Sequence, residues 1–357
     1  MTRLSGSSGS RADPAACKQR SRPLRPKVLI TRKIFEGSIA YLARHCDVDT
    51  NQRDVPLTPH QLIRRLQGKQ GAITLLTDTI SDAVLARCPD LKIISNIAVG
   101  FNNLDVKAAT ERGVMMTNTP GVLDDTTADL TWCLILAASR GLVDADRYFR
   151  SGKWKGWGLM QFLGRDIHHK TLGICGLGRI GRRVAKRAKG FDMRILYTDR
   201  TRAAEEVERD LGVAFVDKRT LLKDSDVVTL HVPLSPETTH YISNAELKLM
   251  KPTAVLVNSS RGPVVDEKAL VRALREGWIA SAGLDVYERE PRPAPGLTRL
   301  KNVVLAPHIG SASMETRLKM SNMAAENCVA GLTGQRPPNL LNPQVLRRHH
   351  PRPAGAG

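Results

Sequence analysis

From residue 27 the chain alternates short, continuously apolar runs with stretches whose apolar positions recur every three or four residues. The first kind reads as buried strand, the second as amphipathic helix. This predicts strands over 27–31, 71–76, 92–97 and 114–118, and helices over 38–45, 58–67, 81–87 and 105–112. Strand and helix in alternation mark a parallel sheet covered on both faces. Thr119-Pro120-Gly121 interrupts the pattern, and an amphipathic run from Asp124 to about Arg140 follows. It opens with Asp and Thr, as a helix N-terminus prefers, and is expected to bridge two domains. A second array begins at Lys170, with strands expected over 172–175, 194–198, 227–232, 254–259, 281–286 and 303–306. A last helix over about 313–331 is expected to return to the first array. The second domain is then an insertion, with a ligand in the cleft between the two.

One stretch of the second array carries a specific local signal. Leu172 to Cys175 is an apolar strand that runs into Gly176-x-Gly178-x-x-Gly181, and Ile180, Val184 and Ala188 then form one helical stripe. Strand, glycine turn and helix in that order suit a dinucleotide. Gly176 permits the tight turn, Gly178 removes a Cβ from the path of the pyrophosphate, and Gly181 lets helix and strand approach. The helix start offers free N–H groups to the phosphates. Asp199 closes the next strand, eighteen residues past Gly181, where an acid can hold ribose hydroxyls. Arg200 and Arg202 follow it, and arginines there can hold a 2′-phosphate, so NAD and NADP both stay open. The expected class is α/β: two Rossmann-like or flavodoxin-like doubly wound parallel-sheet domains, the cofactor domain inserted in the substrate domain. The expected division is 27–119 with 308–345 for the substrate domain and 120–307 for the dinucleotide domain.

Composition narrows the partners. The net charge is +19, but six Lys/Arg against one Asp lie in residues 1–26 and three Arg in residues 346–357, so eleven charges remain on the body. A basic body concentrates small anions. There is no basic patch interleaved with aromatics, so no nucleic-acid partner is expected. No apolar run nears the ~18 residues of a membrane span. Six scattered cysteines without a CxxC pair suggest a reduced, cytoplasmic setting, and no metal site is expected. Residues 1–26 and 346–357, rich in Pro, Arg and Gly, read as disordered tails, the first without the apolar segment of a secretory signal.

Three chemistry-bearing residues fall just past strand ends of the second array: Arg261 in Asn258-Ser-Ser-Arg-Gly-Pro, Glu290 before Pro291, and His308 after Pro307. Ligands in open α/β sheets bind beyond the carboxyl ends of strands. A guanidinium can hold a carboxylate or polarise a carbonyl with two hydrogen bonds. An imidazolium can give a proton to the alkoxide formed by hydride transfer, and a neighbouring carboxylate orients it and favours its charged form. The set suits reduction of a 2-oxo acid.

With these residues in place the chain resembles the D-isomer-specific 2-hydroxyacid dehydrogenases, most of all the glyoxylate/hydroxypyruvate reductases and the related 2-ketogluconate reductases. The carriers are the 99–105 loop, Asp166 to Gly173 with the glycine turn, and the segments 258–267, 283–291 and 307–312. The resemblance spans about residues 27–345. It implies Arg261 as substrate-binding arginine, His308 as general acid and Glu290 as its carboxylate partner. Val99 and Gly100 are implied to cradle the substrate carboxylate, with Leu76-Thr77 where a second such loop is expected. Gly178, Arg179, Ile180, Asp199, Ser259, Ser260 and Asp285 are implied cofactor contacts, Asp285 toward the carboxamide. Pro233 is placed beneath the cofactor, and His308 and Gly310 are expected to touch the cofactor as well. A homodimer is implied, in which Trp157 or Met160 reaches over the partner subunit's cleft. Asn102 departs from the common Asp, and the Asp199-Arg200-Thr-Arg202 set departs from both plain cofactor patterns. Two other readings share the fold: oxidation of 3-phosphoglycerate, and a nucleotide-sensing interaction protein like the C-terminal-binding corepressors. Glu290 argues against formate oxidation, whose sites carry Gln there.

Overall fold

The computed structural model describes residues 25–349. Two parallel sheets form it. The first contains β1 (Lys27–Ile30), β2 (Asp47–Thr50), β3 (Gly71–Leu75), β4 (Ile93–Ile97) and β5 (Met115–Thr117), in the order β2-β1-β3-β4-β5. The second contains β6 (Thr171–Cys175), β7 (Arg194–Thr198), β8 (Val213–Phe215), β9 (Val227–Leu230), β10 (Val255–Asn258), β11 (Ser281–Leu284) and β12 (Val303–Leu305). Its order is β12-β11-β10-β9-β6-β7-β8. The first sheet has flavodoxin-like order. The second is the dinucleotide-binding order with a seventh strand, and its direction reverses between β6 and β9.

Both faces of each sheet are covered, which is why the strands read as unbroken apolar runs. In β1, Val28 and Ile30 pack on one side with Ala324 and Cys328, while Leu29 faces Leu62 and Leu66 on the other. In β10, Leu256 joins one core and Val255 and Val257 the opposite one. Helix Pro59–Leu66 begins with a capping box between Thr58 and Gln61, and helix Met314–Leu332 with a Ser313 cap. That last helix lies on β3, β4 and β5, so the first sheet is covered by the far end of the chain.

Helix Asp124–Arg140 packs on β10, β11 and β12 and on helix Arg179–Ala188. A Cβ on Gly283 of β11 would stand 2.9 Å from Leu134 Cβ, so the approach is close. Order extends past both expected tail boundaries. Asp47 donates its N–H to the Pro26 carbonyl at 2.9 Å, and Leu346–His349 is helical, with Leu346 packed on the first core. The rest of the expected tails lies outside the described residues. Among the described residues no helix is long and apolar enough to cross a membrane. The described cysteines are free, and burial pushes the Cys175 thiol up to about 12, which fits packing rather than chemistry.

One region stays uncovered. Helix Leu142–Arg150 has no buried residue, and in the loop after it Trp157 is 81% and Met160 77% exposed.

Candidate active site

The glycine turn sits at the point where the second sheet reverses direction. Gly176 adopts φ +95°, and a Cβ there would lie 2.9 Å from the His231 carbonyl at the end of β9. At Gly181 a Cβ would collide with the Gly176 carbonyl. Gly178 faces open space, with nothing within 4 Å of where its Cβ would point. Among the described residues the N–H groups of Gly178, Arg179 and Ile180 have no protein acceptor. Two glycines thus close the turn, the third leaves a cradle, and unpaired donors face it, which fits a dinucleotide pyrophosphate.

The side chains around the cradle are already engaged. Asp199 accepts the Leu177 N–H at 2.8 Å and the Arg200 N–H at 2.7 Å, so it braces the turn from the end of β7. Arg202 grips Glu208 with two bonds of 2.9 and 2.8 Å, and Tyr197 donates to the same carboxylate at 2.6 Å. These bonds hold the Glu208 carboxyl down at about 2. Arg200 is exposed beside this pair. Arg179 pairs with the buried Asp124 at 3.0 Å and lies against Gly121, so it ties the turn to the start of helix Asp124–Arg140 and the loop before it. The Ile180 side chain is partly buried against the core, which leaves its backbone for a ligand. Pro233 is exposed in the loop after β9.

Three turns at the carboxyl edge carry the remaining residues. After β10, the buried Asn258 accepts the Ser260 N–H and hydroxyl at 3.0 and 2.9 Å and donates to the Arg261 carbonyl at 3.0 Å. Ser259 hydrogen-bonds Thr131 at 2.8 Å. The Arg261 guanidinium lies across Gly100 of the first domain, where any Cβ would collide with it. A Cβ on Gly262 would likewise strike the Tyr287 carbonyl, so the turns after β10 and β11 meet backbone to backbone. After β11, the buried Asp285 accepts the Ile309 and Gly310 N–H groups at 2.7 and 2.8 Å, and its carbonyl accepts the His308 N–H at 2.9 Å. His308 holds φ +55°, a left-handed conformation that this grip sustains.

Glu290 Oε2 and His308 Nδ1 are 2.9 Å apart, and Glu290 Oε1 accepts the Tyr287 N–H at 3.2 Å. A carboxylate partner makes Nδ1 the donor and turns Nε2 away from it. Burial pushes the Glu290 carboxyl up, but the His308 hydrogen bond and the charges of His308 and Arg261 outweigh it, so the net direction is down. Burial pulls Arg261 down, opposed by Glu290. Asp285 is raised by burial and feels both His308 and Glu290. The four groups therefore share one electrostatic site.

The first sheet supplies the opposite wall. Among the described residues the N–H groups of Val99 and Gly100 have no protein acceptor. Asn103 donates to the Leu75 and Asp78 carbonyls at 3.2 and 2.9 Å, so the loop after β4 is stitched to the turn bearing Leu76. A cavity of about 580 Å³ lined by residues such as Arg53, Val55 and Arg64 opens at the end of β2, apart from these loops. Among the described residues, titratable groups converge from several strand ends at the cleft and not at this cavity.

Arg261, Glu290, His308, Asp285 and Gly310 come together, with Gly100 against Arg261. Ser259 and Ser260 lie in the same turn. The sequence reading missed Asn258 as a brace, the Glu208 partner of Arg202, and Glu267, whose signal was only an acid at a helix start.

A dinucleotide cradle at one sheet's reversal point, beside an Arg–Glu–His edge facing a second domain, defines a nicotinamide-dependent dehydrogenase. Residues 132–310 match the family model of the D-isomer specific 2-hydroxyacid dehydrogenase NAD binding domain. The chain is 50% identical over 330 residues to a glyoxylate reductase of Korarchaeum cryptofilum, covering 92% of this chain and 99% of that one. Among solved structures it is similar to a protein of Thermus thermophilus, with 42% identity, TM-score 0.83, and 88% and 99% of the chains covered. It is also similar to an NADPH-dependent glyoxylate/hydroxypyruvate reductase of Sinorhizobium meliloti solved with NADP and malonate: 30% identity, TM-score 0.78, coverage 90% and 98%. The chain belongs to the D-isomer-specific 2-hydroxyacid dehydrogenases.

Proposed function

We propose that the protein reduces a small 2-oxo acid, namely glyoxylate, hydroxypyruvate or 2-ketogluconate, to the D-2-hydroxy acid with NADH or NADPH. The observation that carries this is the 2.9 Å Glu290–His308 pair beside the Arg261 guanidinium. Bound nicotinamide supplies a hydride to C2. His308 Nε2 gives the proton to the oxygen at C2, Glu290 orients the imidazole, and Arg261 orients the oxo acid. The N–H groups of Val99 and Gly100 donate to the substrate carboxylate, with Leu76 beside them.

Gly176, Gly178, Arg179, Ile180 and Gly181 would hold the pyrophosphate of a bound dinucleotide. Asp199 and Arg200 would meet its adenosine ribose, and Pro233, Ser259, Ser260, Asp285, His308 and Gly310 its nicotinamide end. Arg202 is tied to Glu208, so Arg200 is the arginine free for a 2′-phosphate, while Asp199 still favours ribose hydroxyls. Both cofactors are accepted on this reading. Residues 27–119 with 308–345 form the substrate domain and 120–307 the cofactor domain. The uncovered apolar loop supports a homodimer in which Trp157 or Met160 reaches the partner's cleft, and the free cysteines support a cytoplasmic setting.

Initial rates with each of the three acids, each with NADH and with NADPH, test the proposal. Turnover is expected with at least one acid and both cofactors. Cofactor binding without turnover of any acid would favour the nucleotide-sensing reading.

A further inference from the structure

The turn bearing Glu290 has inner bonds, from the Arg292 N–H to the Arg289 carbonyl at 2.8 Å and from the Tyr287 N–H to Glu290 at 3.2 Å. Both ends of it are tied to one side chain from elsewhere. Glu267 is the first residue of helix Glu267–Glu276 and is 2% exposed. Its Oε1 accepts the Glu288 N–H at 2.5 Å, and its Oε2 accepts the Ala294 N–H at 2.6 Å. Glu288 answers through Oε2, which accepts the Glu267 N–H at 3.4 Å, and its Oε1 stands 2.5 Å from His240 Nε2. Glu290 lies between the two clamped N–H groups. Among the described residues Glu267 has no hydrogen bond to Arg261, Glu290 or His308.

A buried carboxylate without a cationic partner is costly unless hydrogen bonds satisfy it. Burial raises the Glu267 carboxyl, its two N–H bonds oppose that, and the charges of Glu288 and Glu290 add to the rise. An apolar side chain there would leave two backbone donors unpaired, at the root of the turn that aims Glu290. On the opposite side of the pair, Asp285 does the same for the turn that carries His308.

We propose that Glu267 is a positioning residue for proton donation, a two-oxygen clamp that holds the 288–294 turn so that Glu290 meets His308. This rests on the acid–base roles proposed above for Glu290 and His308.

Glu267→Gln is the direct test. The amide keeps one acceptor and turns an NH₂ toward a donor, so one clamp bond is lost. The expected result is a kcat lower by about tenfold or more, with the oxo-acid KM and the NADPH Kd unchanged, and partial recovery in Glu267→Asp. Glu290→Gln, measured in parallel, should lower kcat further. If Glu290→Gln lowers kcat and Glu267→Gln leaves it as in the wild type, even with a lowered Tm, the clamp inference is overturned. If Glu290→Gln leaves kcat in place, the acid–base reading itself fails, and this inference with it. Should Glu267→Gln yield no folded protein, Ala294→Pro removes one donor and keeps the carboxylate. A lower kcat at unchanged KM then supports the clamp, and a wild-type kcat overturns it.

Discussion

The carboxyl edge of the second sheet and the stretch from residue 142 to 163 are opposites. At the edge, Asn258, Asp285 and Glu267 are buried, and each fixes a turn through backbone hydrogen bonds. Arg261, Glu290 and His308 therefore arrive in their arrangement by the fold alone. In the other region large apolar side chains stand in the open, and helix Leu142–Arg150 buries nothing. The first region is completed by its own chain, as preorganised electrostatics requires. The second exposes Trp157, Leu159, Met160 and Leu163 close together in the chain, apolar surface of the kind that marks an interaction site. On the proposed reading, proton transfer would be an internal property of the subunit, while the shape of the substrate entrance would be shared with a second copy.

The sharpest way to break this contrast is at the edge. His308→Ala should lower kcat by roughly 10²-fold or more, with NADPH still bound and the oligomeric state unchanged. Steady-state rates, titration of cofactor fluorescence and light scattering check the three parts. Near-normal turnover would remove His308 from the role of acid.

A smaller effect separates two neighbouring arginines. Arg200→Ala should raise the NADPH KM about tenfold, the loss of one charge-assisted bond to the 2′-phosphate, and leave the NADH KM in place. Arg202→Ala should change neither, because Glu208 holds that guanidinium. Equal effects from both would show that the pair opens when cofactor binds.

The smallest effect belongs to the exposed loop. If Trp157 contributes roughly 30 Å² of contact to the larger acids in the partner's cleft, Trp157→Ala costs under ~1 kcal/mol, about threefold in KM. The rise should appear with hydroxypyruvate and 2-ketogluconate and not with glyoxylate. A KM profile identical to the wild type would confine the loop to packing.

What could be read from the sequence follows from where each signal resides. Strands buried on both faces, such as β1 and β10, announce themselves as apolar runs. The edge strands β2 and β8 do not. Asp-Val-Asp-Thr and Val-Ala-Phe are short and partly exposed, and form because β1 and β7 offer open backbone beside them. Helix Glu205–Leu211, with no buried residue, lacks a stripe to detect. Arg261, Glu290 and His308 were legible because strand ends, loop lengths and residue type agree at those positions. Their braces were not. Glu267 reads as an ordinary acid at a helix start, and its bonds to Glu288 and Ala294 exist only once the β11 turn folds back. Asp199 was legible as an acid after a strand, whereas its grip on the Leu177 N–H depends on the register of β6 and β7. Arg200 and Arg202 look equivalent until Glu208 is placed beside one of them.

If the Arg–Glu–His edge reduces one face of a 2-oxo acid, the product formed from hydroxypyruvate and NADPH reveals it, through its amount and its configuration on a chiral column. One D-glycerate is expected for each NADPH consumed. L-glycerate, or no product from a protein that binds NADPH, would contradict it.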